Sequence, residues 1–596
     1  MQNENTRNTI AFVVITVIFL FAYQTFVLGP QAQQRKAAQQ AAVAEKTVDP
    51  TAVPASGAPA GGVYIKDRTQ ALGASVRVPI KTPTLSGSLS LTGGRIDDLF
   101  LTQYRATIDK DSPPVEMFRP QGMEHAYFAQ FGWTGPNVPG GVPGPNTQWR
   151  LTGGTVLTPA TPVTLTWDNQ QGLRFTRVVS IDDQYLFTVK DTVANLGTTA
   201  ITIAPYSRVE RQGVPDVARD MISHEGAIGT FKKGDSFVTE QHKYKDWLKK
   251  PTIDKETTGG WLGITDEYWL AALIPTQTEA VKVGFRVRDQ GGVKVQEANL
   301  LGGARVIQPG MQVTETQRLF AGAKRNEILK SYQDQLNLPR FIYAIDWGML
   351  WFLTRPVFML VEWFYGLLGN FGWAILALTV VIKLITFPLA NKQGEAAAKM
   401  RLLKPKMDAL NEKFADDPQK KQLETMELFK REKVNPVAGC LPALLTIPIF
   451  YSLFKMLTVT IEMRHAPFVG WLKDLSARDP SSIWNLFGLL PWDAAAIPLI
   501  GGIANLHVGV LVIAYAVTMW LTMSMNPPAA DPIQRKMFQL MPFLFAFIMA
   551  PLAAGLLLYY TWSNILTALQ QYIIMRRYHA ENPIDTLIAR FTKKPA

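Results

Sequence analysis

The stretch LTVVIKLITFP, residues 378–388, sets one lysine inside a run that otherwise reads as membrane-spanning. A charge at the centre of a spanning helix costs roughly 2.5–3.5 kcal/mol on insertion scales. Thr379, Lys383 and Thr386 fall at i, i+4 and i+7 and share one helix face. Lys383 lies eight residues before Asn391, the first residue of a charged connector, which is about 12 Å at ~1.5 Å per residue. Snorkelling of the side chain spans about half of that. Two readings stand at this point. One is a snorkelling lysine flanked by threonines bonded to their own helix. The other is a wetted face inside a helix bundle.

Working outward, apolar runs of spanning length or close to it occupy 371–390, 438–459, 506–525, 537–551 and 553–575, the last two joined by a tight turn near Pro551. The stretch 483–503 is apolar but broken by Pro491, Asp493 and Pro498, and falls within a loop at 460–505. Parity supports this count. The basic segments are 391–437, the connector 526–536 with Arg535 and Lys536, and the tail 576–596 with Arg576 and Arg577. With five spans all three face one side, the cytoplasm under the positive-inside rule. Residues 391–437 carry charges at helical spacing, interrupted by ADDP (415–418), and read as a cytoplasmic helical hairpin.

The other half of the chain differs. Ile10–Leu28 is apolar for 19 residues and reads as an uncleaved anchor within 1–28, against a cleaved signal peptide. Residues 29–62, rich in Ala, Gln, Pro and Gly, read as a flexible linker. From 63 to 325 the chain alternates apolar and polar residues between Gly- and Asn-containing turns, the pattern of a large antiparallel β-sandwich. Residues 341–369 are apolar but interrupted by Asp346, Arg355, Pro356 and Glu362; they read as an amphipathic interfacial helix, with Trp347, Trp351 and Trp363 at the headgroup level, against a sixth span. The fold class expected is multi-domain: an N-terminal anchor, an all-β domain facing the periplasm or exterior and a polytopic α-helical core of five spans.

The net charge of +12 fits basic cytoplasmic loops meeting anionic lipid. No aromatic-plus-basic stripe suggests DNA or another nucleic acid, although ribosomal RNA contact through a loop stays open. The single cysteine, Cys440, excludes an intrachain disulfide. No phosphate loop, HExxH, GxSxG or paired CxxC is present. The six histidines are scattered, and His125, His224 and His242 lack ligand spacing, so no metal, cofactor or catalytic residue is expected.

The polar residues within the spans are more telling. Tyr560, Asn564, Thr567 and Gln571 share one face of the last span, widened by Ser563 and Gln570. Thr518 and Thr522 form a shorter stripe beside Met519 and Met523. Such residues either glue helices together or line a wet groove. With one cation and no acidic partner nearby they do not suit an ion-coupled transport site, and Glu462 falls just outside the membrane.

The stretches KVNPVAGCLPALLTIPIFYSLFKML, IEMRHAPFVGWLKDLSARDP, NPPAADPIQRKM and GLLLYYTWSNILTALQQYII resemble the membrane core of the YidC family of membrane protein insertases, over about 341–578. The anchor, linker and β domain resemble its Gram-negative branch. The resemblance implies a positively charged groove open to cytoplasm and lipid, and a cytoplasmic hairpin that receives newly made membrane proteins. It implies work alone or beside the Sec translocon, with the ribosome and signal recognition machinery as further partners, in the inner membrane with both termini cytoplasmic. It implies a β-supersandwich similar to sugar mutarotases without their catalysis. The family's groove cation falls on Lys383, where many members have arginine; its groove threonine matches Thr379, and its paired tyrosines match Tyr559 and Tyr560. Lysine keeps the charge but lacks the bidentate fork. On the cytoplasmic side, Lys399, Arg401, Lys404, Lys406, Asp531, Gln534, Arg535 and Lys536 are expected to meet substrates or the ribosome. The longer segment at 481–505 has no assigned role. Other readings are a solute or lipid transporter and an envelope scaffold acting through its β domain.

Overall fold

The structure is a computed structural model that describes residues 53–54, 64–109, 111–215, 223–414, 417–432, 441–490, 492, 508–526, 532–579 and 582–592. The expected anchor, most of the linker, and residues 491 and 493–505 of the 481–505 segment lie outside the described residues.

Residues 77–323 build two antiparallel sheets of ten and nine strands. The two-residue period becomes burial directly. Leu173–Ile181 alternates buried and accessible positions along its whole length, and pairs in register with Leu186–Asn195. The reversal between them is set by Asp182, whose Oδ1 accepts from the amides of Gln184 and Leu186, each at 3.0 Å. Tyr127–Thr134 departs from this pattern, being buried on both faces at the centre of the ten-stranded sheet. Between the sheets the Arg177 guanidinium forks onto Asp191, with both contacts at 2.7 Å, and reaches the Phe131 carbonyl at 3.1 Å. Trp133 Nε1 donates to the same carboxylate at 3.0 Å, so one ion pair ties the two layers together.

Helix α1 (Asn326–Gln335) leads out of the sandwich, and a short 3-10 turn follows at Phe341–Ala344. Trp347 does not lie at a membrane surface. It is 2% exposed, packs on Phe358 and donates from Nε1 to the Ile342 carbonyl, because the chain folds back before the helix begins. Helix α2 (Trp351–Leu368) does expose Trp351 and Trp363, together with Phe352, Met359 and Leu367.

Helix α3 (Phe371–Leu402) starts at Asn370, whose side chain accepts from the amides of Gly372 and Trp373. Its 32 residues amount to about 48 Å, longer than the ~30 Å apolar thickness of a bilayer. The helix runs on past residue 390, so the start of the charged connector continues it. Among the described residues it is the one helix both long and apolar enough to cross a membrane by length and composition. Then come α4 (Lys404–Lys413) and α5 (Pro418–Arg431), the latter capped by Asp417, which accepts from the Lys420 amide at 3.0 Å. The remaining helices are α6 (Leu441–Val459), α7 (Val510–Ser524), α8 (Pro532–Met549), α9 (Ala554–Arg577) and α10 (Pro583–Thr592).

The β domain and the helices share one continuous buried cluster, running from the sandwich through Phe341 and Trp347 to Leu453, Leu457 and Leu556. Polar contacts reinforce it. Trp261 Nε1 donates to the Pro339 carbonyl at 3.1 Å, and Arg464 donates to the Arg105 carbonyl at 2.9 Å.

Candidate functional site

The Lys383 side chain meets the helix facing it. Helix α9 packs along both α3 and α7. The Lys383 ammonium crosses to α9 and donates to Thr567 Oγ1 at 2.6 Å. Thr567 Oγ1 donates its own hydrogen bond to the Ser563 carbonyl at 2.7 Å, which leaves its lone pairs for the ammonium. Among the described residues no carboxylate pairs with Lys383. Thr379 and Thr386 do not join this contact. Thr379 is fully buried and donates to the Ile375 carbonyl at 2.7 Å, and Thr386 donates to the Ile382 carbonyl at 2.9 Å.

The α7 stripe meets α9 one step away. Asn564 Nδ2 donates to Thr518 Oγ1 at 3.4 Å, and Thr522 Oγ1 donates to the Asn564 carbonyl at 3.3 Å. Gln571 sits further along α9, with its amide 3.5 Å from Asn526 Oδ1 and its Oε1 buried without a hydrogen-bond partner. At the other end Tyr560 meets Tyr559 and Tyr515 edge to face and Phe450 at a tilt, with ring centres 5.0–6.1 Å apart. Lys383, Thr567, Asn564, Thr518 and Thr522 therefore form a polar seam between three helices, with an aromatic floor at Tyr559 and Tyr560. Beside it lies an apolar rim: Leu384, Ile385 and Phe387 on α3, Ile565 and Leu569 on α9, and Val517 and Trp520 on α7 are all exposed.

The cytoplasmic candidates divide. Arg401 donates to the Ser524 and Asn526 carbonyls and caps the C-terminus of α7, a strap from the end of α3 to the seam. Lys406 pairs with Glu432 at 2.6 Å and ties α4 to the end of α5. Lys399 lies 5.9 Å from the Tyr578 ring centre, and Lys536 is exposed on α8. Asp531, and the side chains of Lys404, Gln534 and Arg535, lie outside what is described.

Lys455 went unread in the sequence, and Glu462 was read only as a carboxylate falling just outside the membrane. Lys455, a lone cation in the apolar stretch of α6, pairs with Asp346 at 2.6 Å. Burial alone pushes the Asp346 carboxyl up, but the Lys455 ammonium holds it below its usual range. The signal was the same as for Lys383, a single charge in an apolar run. Glu462, just beyond α6, turns toward the β domain: its Oε1 accepts from the Asn326 amide at the start of α1, at 3.0 Å. Burial pushes its carboxyl up to about 7.

Two family models match the chain in succession: "YidC periplasmic domain" over residues 77–360 and "60Kd inner membrane protein" over residues 363–581. A membrane protein insertase YidC of Caulobacter vibrioides (strain NA1000 / CB15N) is 50% identical over 620 residues, covering 100% of both chains. That of Maricaulis maris (strain MCS10) is 43% identical over 597 residues, covering 100% of this chain and 99% of its own. A solved structure described as an active YidC insertase with the first transmembrane domain resolved aligns over 86% of this chain and 94% of that one, at 18% identity and a TM-score of 0.37.

Proposed function

The chain belongs to the YidC family of membrane protein insertases, and from that premise we propose that newly made inner-membrane proteins enter through the seam between α3, α7 and α9. The observation that carries this reading is the Lys383 ammonium, held by the Thr567 hydroxyl and by no carboxylate among the described residues. A half-buried cation with only a neutral partner keeps most of its attraction for an incoming anion.

The expensive step of insertion is moving a short polar segment across hydrocarbon. The hydroxyls and amides of Thr567, Asn564, Thr518 and Thr522 offer that segment temporary hydrogen bonds. Lys383 draws acidic residues of the translocated tail. The apolar segment slides along the exposed rim of α3, α7 and α9 into lipid, and transfer of about 20 apolar residues drives the step without nucleotide. Tyr559 and Tyr560 close the seam on the β-domain side. Arg401 and Lys406 hold the hairpin at the cytoplasmic mouth, where Lys399, Lys404, Gln534, Arg535, Lys536 and Asp531 would first meet substrate or ribosome.

In this reading both termini are cytoplasmic, the β domain is periplasmic, and five spans follow it. The protein acts alone on small substrates and beside the Sec translocon on larger ones, with signal recognition machinery delivering some of them. The test is reconstitution of the purified protein alone in liposomes with a single-span substrate carrying an acidic N-terminal tail. Protease protection of the tail is expected above that of empty liposomes, and its loss in Tyr560→Ala would locate the path at the seam. No protection in any preparation would refute autonomous insertion.

A further inference from the structure

The ten-stranded sheet has an outer face that faces away from the sandwich core, yet is buried and polar. The register aligns it. Arg208 lies opposite Gln130 on one side and Asn299 on the other, Glu210 lies opposite Glu297, and Tyr206 opposite Leu301. Directly opposed residues of antiparallel strands project to the same face. Gln130, Arg208, Glu210 and Glu297 are fully buried. Arg208 Nη1 forms ion pairs with Glu297 Oε1 at 3.6 Å and Glu210 Oε2 at 3.8 Å, and Asn299 Nδ2 donates to Glu297 Oε2 at 3.1 Å. Both amide atoms of Gln130, Nε of Arg208 and Oδ1 of Asn299 have no hydrogen-bond partner, with Tyr206 Oη beside them. Folded interiors seldom leave polar atoms in this state, so a group of them on one face calls for an explanation.

A piece of the chain already sits there. Arg208 Nη2 donates to the Pro54 carbonyl, 154 residues away in sequence. Val53 is buried in an apolar corner made by Ala204, Tyr206 and Leu301. The linker is therefore pinned to the sheet at this point, by one backbone carbonyl and one aliphatic side chain. Those are the two features that any extended polypeptide presents: a carbonyl for a guanidinium, and an apolar side chain for a neighbouring pocket. Proline suits the site because it offers a carbonyl and no amide hydrogen needing a partner.

We infer that the outer face of the ten-stranded sheet is a binding site for an extended, proline-containing polypeptide segment, and that Val53–Pro54 is its resident occupant. The ligand class follows from the juxtaposition of Arg208, which takes a backbone carbonyl, with the buried apolar corner of Ala204, Tyr206 and Leu301. A second peptide of similar character competes for the same place.

The test uses the full-length protein in detergent, with Val53→Cys in a Cys440→Ser background, and follows maleimide labelling. Val76→Cys, at a position 72% exposed, gives the reference rate. Labelling at 53 is expected at least tenfold slower than at 76. Arg208→Gln is expected to speed it fivefold or more, and so is an excess of a synthetic peptide with the sequence of residues 48–60 added to the Arg208-containing protein. The peptide arm does not depend on how well the Arg208 variant folds. Labelling at 53 as fast as at 76 would overturn the inference. So would indifference to the peptide, or acceleration by a neutral sugar such as maltose with none by the peptide.

Discussion

Replacing Lys383 by Leu asks whether its charge acts on substrate. The ammonium is half-buried and its sole hydrogen-bond partner among the described residues is a neutral hydroxyl. A substrate carboxylate ~5 Å from Nζ, at an effective dielectric near 20, is attracted by about 3 kcal/mol. Water in the seam and the weakening of the Thr567 bond bring this to about 2 kcal/mol, or roughly thirtyfold in rate. The cleanest assay is a double-mutant cycle in proteoliposomes. Insertion rates are measured for native protein and Lys383→Leu, each with a substrate tail bearing one Asp or the matching Asn. The loss caused by Leu is expected to be about thirtyfold larger for the Asp tail than for the Asn tail. Lys383→Arg should retain most of the rate with both. A coupling below about 0.5 kcal/mol, roughly a twofold difference, would refute a direct attraction and leave Lys383 as a helix-packing residue.

Two further outcomes follow from the structure outside the seam. Asp191→Ala removes the partner of a fully buried guanidinium and one acceptor of Trp133, so the β domain should lose about 3–5 kcal/mol, seen as a melting point lower by roughly 10 °C in near-ultraviolet circular dichroism; an unchanged melt would show that the pair does not tie the sheets. Glu462, raised to about 7 by burial, with Glu362 pushing the same way and Arg325 opposing, lies above the unfolded value of about 4.3. The folded chain therefore holds the extra proton in that window, and this contribution is fully present below about pH 4 and is lost as pH rises through 7. Glu462→Gln should flatten the decline of melting temperature between pH 5 and 8 and raise the value at pH 8 by a few degrees; an unaltered pH profile would exclude Glu462 as its source.

Much of the architecture was legible because it rests on periodicity. Alternation in Leu173–Ile181 became alternating burial, and the stripe from Tyr560 to Gln571 stayed on one face of α9, since side-chain direction within an element is fixed by its own backbone. Trp347 was misread for the complementary reason: a tryptophan before a helix can face lipid or core, and the fold-back at Phe341–Ala344 put it in the core. Lys455 was passed over although its pattern matched that of Lys383, because its partner Asp346 lies 109 residues away.

The sequence by itself determined that the chain pairs a β-sandwich with apolar helices, that Lys383 is a lone cation in an apolar run, and that polar stripes run along those helices, all of which follow from local spacing. Only the tertiary structure decided which stripes meet. It sent Lys383 to Thr567, turned Thr379 and Thr386 back onto their own helix, made Arg401 a cap for α7, and laid Val53–Pro54 over a buried row of polar side chains. Such contacts join residues far apart in the chain. Their partners are chosen by how whole helices and sheets pack against one another, which no local window of sequence encodes.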